Sequence, residues 1–198
     1  MKRPFDGAAA KAALRADARA RRDALPGFAR EIASAELVRR TIGLAETLKP
    51  SVVAGYRAIR SEFDPAPVLD WALAGNRVVA LPAVIDALTI VFRRYRADDP
   101  LKPGAFGTAA PGPSAPEMDP DLILVPLIAF DRNGTRLGHG RGFYDRAIWR
   151  LRARGVTPAL VGVAFSVQEV AAIPAEPHDV SMDWIVTERE VIDARHLG

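Results

Sequence analysis

Three glycines alternate with larger residues in the stretch Gly138-His139-Gly140-Arg141-Gly142, and Arg136 stands two positions before it. Glycine lets a backbone adopt left-handed angles and approach a ligand closely. Residues 131–154 also carry seven arginines against two aspartates, a local charge of +5. Because close backbone N–H groups and guanidinium groups together suit phosphate, this segment predicts a site for a polyanion.

The glycine segment lies between a predicted strand and a predicted helix. Residues 122–130 form a short apolar run, the pattern of a strand buried on both faces, and Asn133-Gly134 marks a turn. Residues 143–154 have helical periodicity, with Ile148 and Leu151 on one side. A helix start offers unpaired N–H groups and the positive end of the helix dipole. We therefore expect the order strand, glycine loop, helix, with the anion at the helix start.

Spacing alone leaves a structural alternative open. A tight crossover turn followed by a solvated arginine face gives the same pattern. The segment also lacks the Gly-Lys-Ser/Thr ending of a P-loop, and glycines at every second position do not form GxGxxG. No phosphate-binding fold is predicted from a standard motif here.

The remaining elements alternate between helix and strand along the chain. Helices are predicted over residues 7–25, 28–48, 65–74 and 167–172, and strands over residues 51–56, 78–81, 88–92, 159–164 and 183–187. Residues 97–120 are rich in proline and glycine, which predicts a stretch without regular structure. The alternation predicts an α/β fold, a three-layer sandwich around a mostly parallel sheet, in a single domain spanning residues 1–198.

Composition narrows the class of protein. The chain has 198 residues, 49% hydrophobic and 26% charged, as in a soluble globular domain. It has no stretch long enough to span a membrane and no signal-peptide core, so we expect a cytoplasmic protein. The absence of cysteine excludes disulfides, thiolate metal sites and a cysteine nucleophile. Two basic islands, residues 1–25 and 131–154, indicate anion sites more than a nucleic-acid surface, although charge alone leaves RNA binding open.

The segment RLGHGRGFYDR (136–146), preceded by PLIAFDRNG (126–134), resembles the signature of the 5-formyltetrahydrofolate cyclo-ligase family. Other pieces follow in the family's order: KAALR at 11–15, SEFD at 61–64, LPAV at 81–84, FR at 92–93 and PAEPHDVSMDWIVTE at 174–188. They span nearly the whole chain, so the set is more specific than any one piece. The resemblance implies conversion of 5-formyltetrahydrofolate to 5,10-methenyltetrahydrofolate, with ATP as co-substrate and Mg²⁺ as cofactor.

The resemblance also implies roles for individual residues. Lys11 and Arg15 lie on a basic stripe of the first predicted helix, which would otherwise be a solvated face, and match a basic pair that contacts ATP. The other implied ATP contacts are Arg136, Gly138, His139, Gly140, Arg141, Gly142, Phe143 and Tyr144. Of these, Arg136 and Arg141 are the predicted catalytic residues, because a planar guanidinium can hold two oxygens of the moving γ-phosphate.

The implied folate contacts are Arg57, Glu62, His139, Arg141 and Phe143. The implied magnesium ligands are Asp145 and Asp183. Without the resemblance, Asp145 could simply favour a helix N-terminus and Asp183 could cap a strand. We expect small-molecule partners, no membrane partner and a monomer.

Two positions depart from the family's pattern. Ala110 stands where most relatives have an acid after the Phe106-Gly107 pair, and Phe143 replaces a commoner tyrosine. The change at Ala110 leaves open a divergent paralogue that keeps the ATP site and acts on another substrate. A non-enzymatic accessory protein that binds RNA is the third alternative, since a fold does not fix a function.

Overall fold

The computed structural model describes residues 7–104 and 109–195. Its α-helices are α1 (Gly7–Asp23), α2 (Gly27–Leu48), α3 (Ala66–Ala74) and α4 (Phe143–Ala153). Its strands are β1 (Val52–Ala54), β2 (Val78–Val84), β3 (Ile90–Tyr95), β4 (Leu101–Pro103), β5 (Ala109–Pro111), β6 (Leu122–Pro126), β7 (Ala129–Phe130), β8 (Arg136–Leu137), β9 (Ala159–Val163), β10 (Trp184–Val186) and β11 (Val191–Asp193).

Seven of these strands form the main sheet, in the order β11-β10-β9-β6-β1-β2-β3. The five central strands are parallel to one another, and the edge strands β3 and β11 are antiparallel to their neighbours. The apolar runs of β6 and β9 are buried along almost their whole length, as expected for strands covered on both faces.

Alternate residues of the strands pack into two separate cores. Val53 and Leu124 point into a core that includes Leu37 of α2 and Leu69 of α3. Their neighbours on the same strands point into a second core that includes Ile148 of α4. Because successive side chains on a strand point to opposite faces, α2 and α3 cover one face and α4 covers the other. The predicted α/β three-layer sandwich around a mostly parallel sheet is confirmed.

Helix α1 packs against the small β7–β8 hairpin. Ala18 of α1 is buried against Ile128, Ala129 and Leu137, which form a third apolar cluster. This packing fixes the first helix beside the segment that leads into the glycines.

Three local predictions need correction, and β11 is a strand that was missed. The predicted strand 122–130 is split into β6 and β7, because the backbone carbonyls of Leu127 and Ile128 accept hydrogen bonds from the Gln168 side chain, each at 3.0 Å, instead of pairing in the sheet. Residues 97–120 were predicted to lack regular structure, but they contain β4 and β5, which form an antiparallel hairpin. The helix predicted over 167–172 is a single 3-10 turn, Ser166–Gln168.

Phe106 and Gly107 lie outside the described residues, whereas Ala110 is buried in β5, opposite Lys102. None of the helices that the structure describes combines the length and the apolar composition needed to cross a membrane.

Candidate active site

The order of the strands creates a switch point between β1 and β6. From β1 the chain continues to β2 on one side, and from β6 it continues to β9 on the other. In open α/β sheets, ligands bind in the crevice outside the carboxyl ends of the strands at such a point. The predicted folate contacts Arg57 and Glu62 lie in the loop after β1. The glycine segment, the predicted phosphate site, lies in the chain after β6.

The glycine segment adopts the conformation that its composition favours. Gly140 has a φ of 86° and Gly142 a φ of 63°, both in the left-handed region. The positive φ of Gly142 disfavours any larger residue, and a Cβ atom there would also require Nη1 of Arg146, 2.9 Å away, to move. Gly142 is the N-cap of α4, and no side chain caps the start of this helix. The start of α4 can therefore present backbone N–H groups to an anion.

Helix α1 brings Arg15, one of the predicted ATP contacts, to the glycine segment. Nε of Arg15 donates a hydrogen bond to the carbonyl oxygen of Gly138 at 2.8 Å. Its guanidinium carbon lies 3.8 Å from the position that a Cβ atom of Gly140 would occupy. A permanent positive charge therefore stands directly beside the loop.

Lys11 lies one turn earlier on α1 and is buried. Its Nζ contacts Oδ2 of Asp179 at 2.8 Å and Oε2 of Glu176 at 3.1 Å. Burial disfavours the ammonium, but the hydrogen bonds to Asp179 and Glu176 outweigh it and raise the pKa of Lys11. Lys11 thus holds the 176–179 turn in place. A phosphate that contacted Lys11 would have to share its ammonium group with Asp179 and Glu176.

The pair between Lys11 and Asp179 gives a pH-dependent prediction. Burial opposes the charged carboxylate, yet hydrogen bonds from Lys11 and from the Glu176 N–H lower the pKa of Asp179 below its ordinary value. The stabilisation is therefore complete above about pH 4, the ordinary aspartate value, and is lost as the pH falls through the lower folded-state pKa. We expect Asp179→Asn to reduce the free energy of unfolding by about 2 kcal/mol at pH 7 and by less in acid.

Urea denaturation of both proteins at pH 7, 5, 4 and 3 measures this difference. Lys11→Met removes the other half of the same ion pair and should follow the same pH course. A difference that stays constant from pH 7 to pH 3 would contradict the assignment.

Arg136 is buried, with 8% of its surface exposed. Its Nη2 donates to Oδ1 of Asp145 at 2.9 Å, and its Nη1 donates to the carbonyl oxygen of Val180. Oδ1 of Asp145 also accepts a hydrogen bond from the Val180 N–H at 3.1 Å. The sequence predicted that Arg136 and Arg141 both bind the moving phosphate. In the structure Arg136 is buried and links α4 to the segment around Val180, whereas Arg141 is exposed on the loop.

Glu62 reaches the glycine segment from the other loop. Its Oε1 lies 2.9 Å from Nε2 of His139, and its Oε2 accepts a hydrogen bond from the Ile59 N–H at 3.0 Å. Only 5% of the Glu62 side chain is exposed. Burial, and then the charge of Glu62, raises the pKa of Tyr144 above its ordinary value. Glu62, His139 and Tyr144 therefore form one polar neighbourhood on the β1 side of the loop.

Arg57 and Phe143 have other contacts. Nη2 of Arg57 donates to the hydroxyl oxygen of Tyr95 at 2.9 Å, and its guanidinium lies 5.2 Å from the centre of that ring. The Phe143 ring lies 5.5 Å from the guanidinium of Arg146. The structure thus turns Arg57 towards β3, while Phe143 stays at the start of α4.

A cavity of about 210 Å³ opens beside the glycine segment on its α4 side. It is lined by Gly140, Arg141, Gly142, Asp145, Arg146, Trp149 and His178. A larger cavity of about 390 Å³ lies between β3 and the β4–β5 hairpin and contains none of the predicted site residues. We take the smaller cavity as the candidate site, because it combines the exposed guanidinium of Arg141 with the left-handed glycines.

The two predicted metal ligands lie in different places. Asp145 lines the cavity, whereas Asp183 does not. Oδ2 of Asp183 accepts a hydrogen bond from the Leu160 N–H at 2.7 Å, at the beginning of β9, and burial raises the pKa of this carboxyl. Within the described residues, the one group of three potential ligand side chains is Glu176, His178 and Asp179, and the Lys11 ammonium already contacts both of its acids.

Sequence reasoning missed two arginines that hold the Glu62 loop. Nε of Arg22 donates to Oγ of Ser61 at 3.0 Å, and Nη1 of Arg30 donates to the Ser61 carbonyl oxygen at 2.8 Å. Arg22 is only 2% exposed, and burial lowers its pKa, partly offset by the charge of Glu62. In the sequence Arg22 belongs to the basic stripe of the first helix and Arg30 looks like an ordinary polar position, so neither pattern indicates a contact with Ser61.

Known proteins resemble this chain over most of its length. The model of the 5-formyltetrahydrofolate cyclo-ligase family matches residues 7–188. The 5-formyltetrahydrofolate cyclo-ligase of Haemophilus influenzae is 30% identical over 176 residues, covering 85% of this chain and 92% of its own. That of Mycolicibacterium smegmatis is 36% identical over 151 residues, covering 72% of this chain and 76% of its own.

A solved structure shares the fold as well as the sequence. The 5,10-methenyltetrahydrofolate synthetase of Aquifex aeolicus has a TM-score of 0.79 and 33% identity, and the match covers 93% of each chain. With the family model matching more than nine tenths of its length, this chain belongs to the 5-formyltetrahydrofolate cyclo-ligase family.

Proposed function

We propose that this protein is an ATP-dependent 5-formyltetrahydrofolate cyclo-ligase that forms 5,10-methenyltetrahydrofolate, ADP and phosphate. The observation that carries the proposal is the meeting of two loops at the switch point between β1 and β6. One loop supplies left-handed glycines and Arg141 at the start of α4, and the other supplies the buried carboxylate of Glu62. An anion site and a polar site for a heterocycle thus lie side by side.

The reaction requires the formyl oxygen to become a good leaving group. That oxygen attacks the γ-phosphorus of ATP, so a new P–O bond forms and the bond to ADP breaks. N10 of the folate then attacks the activated carbon and loses its proton, and the C–O bond breaks to release phosphate. Such a transfer asks the protein for positioning and for positive charge around the moving phosphoryl group.

In this proposal, the chain's own cations and N–H groups supply that charge. The guanidinium of Arg141 and the N–H groups at Gly138, Gly140 and Gly142 bind phosphate oxygens. Arg15 adds a second positive charge to the same loop, held there by its hydrogen bond to Gly138. Arg136 holds Asp145, and Lys11 holds the turn at Asp179. Both are therefore positioning residues for the anion site and do not contact the anion themselves.

Asp145 fits a magnesium ion better than Asp183 does. Magnesium usually takes one or two carboxylates from a protein and completes its shell with phosphate oxygens and water. Asp145 lines the cavity, and its Oδ2 lies close to Gly142, while Oδ1 holds Arg136 and Val180. When bound, the ion would neutralise charge on the phosphates. The assignment of Asp183 as a second ligand stays a prediction, and its bond to the Leu160 N–H gives it no support.

The folate is proposed to bind on the Glu62 side of the loop. A carboxylate accepts hydrogen bonds from N–H groups, which the pterin ring offers, and His139 is already within hydrogen-bonding distance of Glu62. Phe143 and Tyr144 provide aromatic surface at the start of α4. Arg57 faces Tyr95, so a role in binding the anionic end of the folate would require it to change partner.

Replacing Glu62 with glutamine tests the folate side. Glutamine keeps the shape but removes the charge and turns one acceptor into a donor, so we expect the KM for 5-formyltetrahydrofolate to rise about 10- to 100-fold. The KM for ATP should stay within about twofold. Steady-state kinetics with each substrate varied in turn measures both values. Glu46→Gln, an exposed position on α2, is the matched control and should match the wild type.

The function itself is tested with purified protein, MgATP and 5-formyltetrahydrofolate, by following the absorbance of the methenyl product. Product formation that requires both substrates supports the cyclo-ligase. Nucleotide binding without product would favour a paralogue with another substrate, for which the buried Ala110 is the relevant difference from most relatives. Absence of nucleotide binding would favour the accessory RNA-binding alternative. We also propose that the protein is a monomer that acts in the cytoplasm, where its co-substrate ATP is abundant.

A further inference from the structure

Trp149 is an exposed tryptophan that lines the cavity beside the glycine segment. Half of its surface is exposed. The other two tryptophans of the chain are each covered by an arginine: Trp71 by Arg77 at 4.2 Å and Trp184 by Arg195 at 4.3 Å, measured to the ring centres. Among the described residues, no such ring partner covers the indole of Trp149. An aromatic ring of this size facing a cavity beside an anion site points to a ligand.

The position of Trp149 on α4 fits a nucleotide that begins at the glycines. It lies seven residues after Gly142, two helical turns or about 10 Å along the axis. Gly142, Asp145 and Trp149 share one face of α4, since residues three, four and seven apart align. A nucleotide with its phosphates at the start of α4 can therefore reach Trp149 with its base by running along this face.

The indole is held in place by its edge. Its Nε1 donates to the carbonyl oxygen of His178 at 3.4 Å, and the exposed His178 side chain also lines the cavity. This bond uses the edge of the ring, so it does not itself occupy either flat face. The cavity also lies apart from the folate side, because His139 turns to Glu62 while Arg141 and Gly142 line the cavity.

We propose that Trp149 stacks on the nucleobase of the bound nucleoside triphosphate. The inference rests on the proposed function, and it names the side chain that binds the base of the co-substrate. Stacking of a base on an aromatic ring tolerates different bases, so Trp149 contributes affinity for a nucleotide over bare polyphosphate rather than selection among bases.

The test compares ADP with tripolyphosphate, which lacks a base, by titration calorimetry on the full chain with magnesium. Trp149→Ala is expected to weaken ADP binding about tenfold, which corresponds to about 1.4 kcal/mol. Tripolyphosphate affinity should not change. Trp149→Phe should keep ADP binding within about threefold of the wild type. Ile32→Ala, which truncates an exposed apolar side chain on α2, should leave both affinities unchanged.

Two results would overturn the proposal: unchanged ADP affinity in Trp149→Ala, or an equal loss for ADP and tripolyphosphate. The outcomes also separate this inference from the proposed function. An active cyclo-ligase whose KM for ATP is the same in Trp149→Ala refutes the stacking and leaves the function intact. If Trp149→Ala binds ADP more weakly than the wild type, and the wild type forms no methenyl product, the stacking is supported and the folate reaction is refuted.

Discussion

Replacing Arg141 with alanine is expected to lower kcat about 10²- to 10³-fold, the usual loss when one preorganised donor to a developing charge is removed. Arg141 is exposed on the glycine loop and lines the cavity, which is where the proposed function places the γ-phosphate. The free energy of unfolding should change by less than about 1 kcal/mol, because the position is at the surface. Steady-state kinetics and urea denaturation measure the two effects separately.

The matched control for Arg141→Ala is Arg154→Ala, which removes an exposed arginine at the far end of α4, where it pairs with Asp119. This variant should keep the wild-type kcat. Arg141→Lys should recover part of the lost rate, since an ammonium restores the charge but not the planar fork. If kcat and stability fell together in Arg141→Ala, or if Arg154→Ala lost as much rate, Arg141 would not be the residue that binds the transferred phosphoryl group.

Replacing Arg136 with methionine is expected to reduce the free energy of unfolding by about 3 kcal/mol, the cost of removing one partner of a buried ion pair. The Arg136 side chain is 5% exposed, and its loss leaves the Asp145 carboxylate and the Val180 carbonyl without their shared donor. Activity should fall as well, because Arg136 no longer links Asp145 at the start of α4 to the Val180 carbonyl. Arg136 and Arg141 therefore differ: one change affects mainly stability, the other mainly rate.

A double-mutant cycle tests this prediction. Asp145→Asn keeps an acceptor for the Val180 N–H while removing the charge, and the double variant removes both partners. We expect the double variant to be less destabilised than the sum of the single changes by about 1 kcal/mol or more, since neither charge is left alone. Additive losses would mean that Arg136 and Asp145 contribute independently.

The sequence predicted the layers better than the details. The apolar runs of β6 and β9 and the periodicity of α2 and α4 are local signals, so the three-layer fold could be predicted from them. The β4–β5 hairpin could not, because Pro103 and Pro111 argue against strands. Both prolines lie in short strands of a two-stranded sheet, where a missing N–H costs little.

The site could be predicted from the sequence less completely than the fold, because it depends on contacts between distant segments. The glycine segment was predicted from its composition, and Arg15 and Glu62 from the resemblance; in the structure both side chains contact the glycine segment. The burial of Arg136 could not be predicted, because it depends on Val180, which lies 44 positions later in the chain. Trp149 looked like any aromatic residue of an amphipathic helix, and only the cavity beside it distinguishes it.

The two cations of α1 have partners very far along the chain. Lys11 bonds to Asp179, 168 positions away, and Arg15 to Gly138, 123 positions away. Closing such long loops is entropically unfavourable and slow compared with forming local contacts. During synthesis, α1 is therefore made long before residues 138 and 179, and the anchoring contacts of Arg15 and Lys11 can form only after those later residues have left the ribosome.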